Sequence, residues 1–289
     1  MLVDLIQQLF NGLVIGSIYT LVALGLTIIF GILGIAHFAH GSVAMFGGYI
    51  TYFFIASLGF GLFPSMAAAM ALGALLGVGL ERIAYYPVRN APPINAFIIA
   101  LGLTLIIEKS NLILFGVDQI IIPTGFTRVF NVGGVTLPEL RVYILAIAAV
   151  LVIGLTILIQ RTWMGMAVRA VAQNRPAAVL MGINVNAVSM FVFALSSALG
   201  VAAGVLVGAL FAIAPGVSGG LVVKGFAVLI LGGLGSIPGA IVGGLVLGVS
   251  ETFASAFISS AYKDVIAFLL MIGVLLVKPE GLMRRSAAR

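Results

Sequence analysis

Two histidines, His37 and His40, stand three residues apart in GILGIAHFAHG (residues 31–41), a run otherwise made of aliphatic residues, Phe38 and glycine. At that spacing they share one face if the chain is helical. Ionisable side chains in an apolar span are costly and commonly functional. The pair therefore has two readings: groups that gate or touch a substrate, or groups that hydrogen-bond backbone at a helix break. Metal binding needs three or four ligands, and no third ligand stands nearby. A second chemical stretch is RTWMGMAVRAVAQNRPAAVLMGINVN, residues 161–186, which carries Arg161, Arg169 and Arg175 together with Gln173, Asn174, Asn184 and Asn186. A third is the cluster Gly232, Gly233, Gly235, Ser236, Pro238 and Gly239 within KGFAVLILGGLGSIPGAIVGGLVLGV, residues 224–249.

Enzymatic chemistry is thin. No G-x-x-x-x-G-K-[ST] run occurs, so a P-loop ATPase is excluded, and there is no H-E-x-x-H metalloprotease pattern. The eight acidic residues are scattered, with no pair placed for general acid–base work. Cysteine is absent, which removes disulfides, thiol catalysis and Cys-ligated metals.

Composition assigns the class. Of 289 residues 62% are hydrophobic and 8% charged, and the mean hydropathy is +1.30, against roughly a quarter charged in a soluble domain. Too few charges exist to coat a water-facing surface. The expected fold is all-α: one polytopic membrane helical bundle over residues 1–289, with about eight membrane segments and Gly-broken or re-entrant helices. In that setting the net charge of +6 marks one side of the membrane and its lipid surface rather than a nucleic-acid partner. The first basic residue is Arg82, so no basic leader region precedes the apolar stretch.

Apolar spans of about 20 residues are read at 5–30, 42–58, 64–80, 94–115, 142–159, 188–212 and 262–277, with a Gly-broken region at 224–257. A charged turn is expected at 81–93, with Arg82, Arg89 and three prolines. Residues 116–141 form a long polar loop with turn signals and a small hairpin outside the membrane. Glu108, Lys109 and Glu251 are expected at the outer interface. Met164, Val168, Val171 and Ala172 fall three or four apart and predict a short amphipathic helix; Asn174-Arg-Pro176 then starts a second one. A simple link between spans needs four to six residues, so this segment is either a helix lying at the headgroups or a docking element for a cytoplasmic partner. Basic residues orient the chain: 82–89, 161–175 and the tail with Arg284, Arg285 and Arg289 go inside, which puts the N-terminus outside. The break at 232–239 is then a re-entrant hairpin or two short crossings. Broken backbone at membrane depth is tolerated where it is buried in protein or lines a watery cavity, and interrupted segments point to a binding site or path. For the individual glycines, Gly12, Gly16, Gly243, Gly244 and Gly248 among them, close helix packing is the simpler use.

The stretches ALGLTIIFGILGIAHFAHGSVAMFGGYI (23–50), VRAVAQNRPAAVLMGINVN (168–186) and GGLGSIPGAIVGGLVLGV (232–249) together resemble the LivH-type branched-chain amino-acid permeases of bacterial ABC importers, in order and over essentially the whole chain. The resemblance implies a multi-pass permease of the bacterial inner membrane without a cofactor of its own. Its implied partners are a second, LivM-like permease, two cytoplasmic ATPase subunits that hold ATP and Mg, and a periplasmic substrate-binding protein docking on loops such as 116–141. By resemblance Arg169, Ala170, Gln173, Asn174, Ala178, Gly182 and Asn184 belong to the loop that docks the ATPase, although the Glu-Ala-Ala start familiar in other importers is replaced by Arg169-Ala170. His37, Phe38, His40, Gly41 and Ser42, with the 232–239 cluster, belong to the core near the path. The expected function is import of leucine, isoleucine and valine by alternating access. The same architecture with urea, amides or other amino acids stays open, and a secondary carrier or a membrane enzyme fits the residues less well.

Overall fold

The computed structural model describes residues 2–214, 216 and 218–283; the basic tail residues Arg284, Arg285 and Arg289 lie outside them. In lipid every backbone N–H and C=O needs an internal partner, which favours helices. The chain runs α1 (Leu2–Leu33), α2 (His40–Leu58), α3 (Leu62–Leu80), α4 (Pro93–Phe115), a hairpin β1 (Val129–Val132) and β2 (Val135–Pro138), α5 (Glu139–Arg161), α6 (Trp163–Gln173), α7 (Arg175–Leu180), α8 (Val185–Leu210), α9 (Ser218–Gly232), α10 (Ile237–Phe257) and α11 (Lys263–Val277). Among the described residues eight helices are long and apolar enough to cross a membrane, which makes the protein a polytopic helical membrane protein.

The bundle is built around α1 and α8, whose most apolar windows are 78% and 72% buried. At 6% and 17%, α11 and α4 instead turn apolar faces outward. With 32 residues α1 is about 48 Å long, well over the roughly 30 Å hydrocarbon layer. It crosses α10 at backbone contact: a Cβ on Gly16 would sit 2.8 Å from Gly244 O, and one on Gly248 would meet the backbone of Gly16 and Gly12. Only small residues allow such an approach.

Contacts between termini sort the bundle into two ends. At the hairpin end the first turns of α1 meet β2: Gln7 Nε2 donates to Thr136 O at 2.9 Å, and Thr136 N–H donates to Gln7 Oε1 at 2.8 Å. At the basic end the last turn of α1 meets the 233–236 break, where a Cβ on Gly31 would stand 3.0 Å from Gly235 Cα. The segment after α11 returns there too, with Leu282 N–H donating to Leu231 O at 2.9 Å.

Three expectations change. The charged turn begins later than residue 81, because α3 continues as a π-turn, Glu81–Tyr85, and a 3₁₀ turn, Tyr86–Val88, so Glu81 is buried inside the bundle. The Gly-broken region begins earlier than residue 224: α9 starts at Ser218, whose hydroxyl donates to Glu108. That contact turns Glu108 inward while its neighbour Lys109 stays exposed. The glycine break separates two apolar helices that meet at the basic end, in line with the two-crossing reading. An extended lead-in precedes α9, which at 15 residues spans about 22 Å, and the 21-residue α10 follows. The lead-in satisfies its backbone against the loop before the hairpin, through Ile120 N–H to Ile213 O at 2.9 Å and Ile213 N–H to Ile120 O at 2.8 Å.

Candidate functional site

At the basic end a cavity of about 420 Å³ opens between the α1–α2 break, the end of α3, the start of α4 and the head of α8. Gly34, Ile35 and Ala36 form one wall, Glu81 and Tyr85 another, and Arg175, Asn186 and Ser189 a third. The π-turn of α3 supplies the second wall; such turns recur at functional sites. It carries Glu81, 3% exposed, whose Oε2 has no hydrogen-bond partner among the described residues. Arg89 and Arg82 stack on the Tyr86 ring at 4.1 and 4.6 Å, and Arg89 Nη1 donates to Asn186 Oδ1 at 2.5 Å. The third wall is therefore tied to the turn that ends α3 by Arg89, which itself lines the cavity.

The histidines are fully enclosed at the break between α1 and α2. His37 Nδ1 lies 2.8 Å from Tyr85 Oη, and its ring meets Phe193 edge-on at 5.4 Å. His40 Nδ1 stands 3.4 Å from Ser196 Oγ, and its ring fills the space over Gly25 and Gly200. Phe38 is held between Phe97 and Phe226 at 5.3 and 4.7 Å. Gly41 lies against the head of α9, and Ser42 is buried within α2. The sequence-named group is thus assembled in one place, but it forms the packed floor behind the cavity: none of His37, Phe38, His40, Gly41 and Ser42 lines it. No three His, Cys, Asp or Glu side chains gather into a metal site among the described residues.

The glycine cluster lies apart from the cavity. Gly232, Gly233, Gly235, Ser236, Pro238 and Gly239 line neither this cavity nor the larger one at the hairpin end. Ser236 caps α10, accepting from Gly239 N–H at 3.1 Å. Gly232 and Gly239 bring the ends of α9 and α10 into backbone contact. Close packing at the basic end is what these residues accomplish.

Residues 161–186 form two short helices on the basic end, as the spacing predicts. Thr162 Oγ1 caps α6 by accepting from Gly165 N–H at 3.0 Å, and Asn174 Oδ1 caps α7 by accepting from Ala177 N–H at 3.0 Å. Asn184 Oδ1 caps α8, accepting from Asn186 and Ala187 N–H at 3.1 and 3.2 Å. Arg169 folds back to donate to Ile159 O. Ala170 is half-buried, Ala178 is buried and Gln173 is exposed. Gly182 turns the chain after α7 with φ +80°, a conformation other residues rarely adopt. Most of the residues named for docking therefore hold the segment in shape. Its outward surface carries large apolar side chains among the polar ones: Leu180 is 88% exposed, Met181 82% and Trp163 77%. The spacing that predicts the first short helix covers Met164 to Ala172 and leaves Trp163, Leu180 and Met181 outside it.

The structure also assembles a group that sequence reasoning left scattered. Lys224 of α9 forms an ion pair with Glu251 of α10 and a second with Asp264 of α11 at 2.7 Å, while Tyr19 Oη of α1 donates to Glu251 Oε2 at 2.8 Å. Glu251 is therefore buried in the bundle rather than at an interface. The available signal was a lysine and a glutamate inside apolar spans. Residues 216–220, GVSGG, also carry the Gly-x-Ser-x-Gly spacing of hydrolase nucleophiles; the Ser218 hydroxyl donates to Glu108.

Helices crossing a membrane, an internal cavity at one end and a surface segment forming part of that cavity's wall define a permease-like membrane protein. Residues 8–275 match the family model for the branched-chain amino acid transport system / permease component, and the chain belongs to that family. It is 38% identical to the high-affinity branched-chain amino acid transport system permease protein LivH of Escherichia coli, over 97% of this chain and 96% of that one. Identity to the corresponding protein BraD of Pseudomonas aeruginosa is 36%, with the same coverage. Among solved structures, PsaBC from Streptococcus pneumoniae in complex with Fab aligns with a TM-score of 0.52 over 97% of both chains at 14% identity, a likeness of fold alone.

Proposed function

We propose that this chain is the membrane subunit of an ATP-binding-cassette importer that carries branched-chain amino acids across the bacterial inner membrane. One observation carries the mechanism: α6 and α7 expose Trp163, Leu180 and the adjoining Met181, while Arg175 at the start of α7 and Val185 and Asn186 at the head of α8 line the basic-end cavity. A force on the surface therefore moves a cavity wall. The basic end is cytoplasmic in this reading, by its arginines, and the hairpin end faces outside.

The force comes from two ATPase subunits, which hold ATP and Mg, docked on Leu180, Met181 and Trp163. A second, LivM-like permease completes the pore, and a substrate-binding protein delivers cargo at the hairpin end. When the ATPases close, α6 and α7 shift, and the Arg89–Asn186 bond transmits the shift to the end of α3 and the first turn of α4. Glu81 and the Gly34–Ala36 wall then move relative to each other, and the cavity opens or closes to the cytoplasm. Alternating access needs two states that the motor biases differently, and a hydrogen-bonded wall offers two discrete arrangements.

Co-purification tests the docking. Replacing Leu180 and Met181 by Glu buries charge in an apolar contact; such anchors are worth about 2 kcal/mol or more each, roughly a thirtyfold loss in affinity. The ATPase subunits are expected to fall away while the second permease stays bound. ATPase retained at wild-type stoichiometry would remove these residues from the interface.

A further inference from the structure

The larger cavity, about 630 Å³, lies at the hairpin end between α1, α8, α9, α10 and α11. Its size falls within the roughly 300–1,000 Å³ range of small-molecule sites. Charges of both signs face it: Arg141, Lys224 and Lys263 against Glu251 and Asp264. Ile15, Ile18 and Leu221 supply an apolar wall beside them.

The two arms of the Lys224 ion pair are unlike. Glu251 is fixed, because its Oε1 takes Lys224 and its Oε2 takes the Tyr19 hydroxyl at 2.8 Å, with the side chain 5% exposed. Asp264 holds Lys224 at 2.7 Å but is 60% exposed, so that arm can open without stranding a buried charge. As simple glue the network is a poor choice: burying ion pairs is often no better than packing apolar side chains in their place. Nor do these helices lack packing, since α1 and α10 already meet through glycines. Charged groups at membrane depth that face a cavity mark substrate pathways.

We propose that this cavity is an outward-facing cargo site for a zwitterionic α-amino acid with an aliphatic side chain. The cargo carboxylate takes Lys224 Nζ, the cargo ammonium takes Asp264, and the side chain lies on Ile15, Ile18 and Leu221. Insertion exchanges one ion pair for two and leaves the charge balance unchanged. A lone cation would face Lys224 and a lone anion Asp264, each without compensation. The proposal rests on the amino-acid import reading above.

The absence of cysteine makes a direct test possible. Ser255→Cys puts a single thiol in this chain on the exposed part of the cavity wall. Its reaction with a charged, membrane-impermeant methanethiosulfonate is followed in the assembled transporter in vesicles, without ATP. L-Leucine at ten times its dissociation constant is expected to slow labelling about tenfold, while 4-methylpentanoate and 3-methylbutylamine, each lacking one charge, leave it unchanged. Lys224→Met and, should that variant fail to assemble, the exposed Asp264→Asn are expected to abolish protection. ATP-driven leucine uptake is measured on the same vesicles. Leucine imported but no protection overturns the site alone; equal protection by the single-charge analogues overturns the zwitterion; no import of any aliphatic amino acid overturns the import reading and this site with it.

Discussion

Asn174 and Asn184 show how a polar side chain in the basic segment is used: each accepts backbone N–H groups at the start of a helix. Replacing a cap by Ala costs about 1 kcal/mol. Asn184→Ala is therefore expected to lower the melting temperature of the detergent-purified protein by a few degrees, without changing which partners bind. An unchanged melting point would show that the α8 start is held by packing alone. The start of α7 was legible because Asn174, Arg175 and Pro176 are consecutive and capping is a local event. The Lys224 network was not: Glu251 and Asp264 stand 27 and 40 positions further on, and nothing local reveals that three helices bring them to one point. Exposure was misread at the same scale. Ala172 was placed on the apolar face of α6 by its spacing, yet it is exposed, and Leu180 and Met181, which the spacing gave no role, project from the end of α7 into open space.

Helices were the most legible elements, since a long apolar run in a membrane chain has few other conformations. The glycine-rich sequences in α1 and α10 were legible as close-packing faces, but their pairing with each other was not, because glycines at four-residue spacing also occur where nothing approaches. Substitution separates the two kinds. Gly248→Leu forces a side chain into the α1 backbone at Gly16 and Gly12, an overpacking worth about 3 kcal/mol or more, and is expected to prevent recovery of folded protein. Gly102→Leu in α4, where an added Cβ would meet nothing within 4 Å beyond its own helix among the described residues, is expected to be tolerated, as judged by a monodisperse peak in size-exclusion chromatography. Equal behaviour of the two variants would contradict the α1–α10 contact. The π-turn at the end of α3 was not legible at all: Glu81 and Arg82 read as a turn, because nothing in the local sequence announces that a helix carries a carboxylate into the bundle.

For the whole molecule, the two ends carry different equipment. The hairpin end has the larger cavity with mixed charge, and the basic end has the smaller cavity whose wall continues into α6 and α7. Between them the core of α1 and α8 is packed, with Leu21, Val22, Ala23 and Leu24 fully enclosed. A permease that opens to one side at a time needs such a closed middle and a lever at one end. The measurement that tests this most directly is uptake of radiolabelled L-leucine into proteoliposomes holding this chain, its second permease and the two ATPases, with ATP inside or outside the vesicles and binding protein on the opposite face. Accumulation that requires both ATP and binding protein, and that stops in the Leu180→Glu, Met181→Glu double variant, is the predicted result. Leucine accumulation by this chain alone, without ATP, would contradict the account and make the protein a self-sufficient carrier.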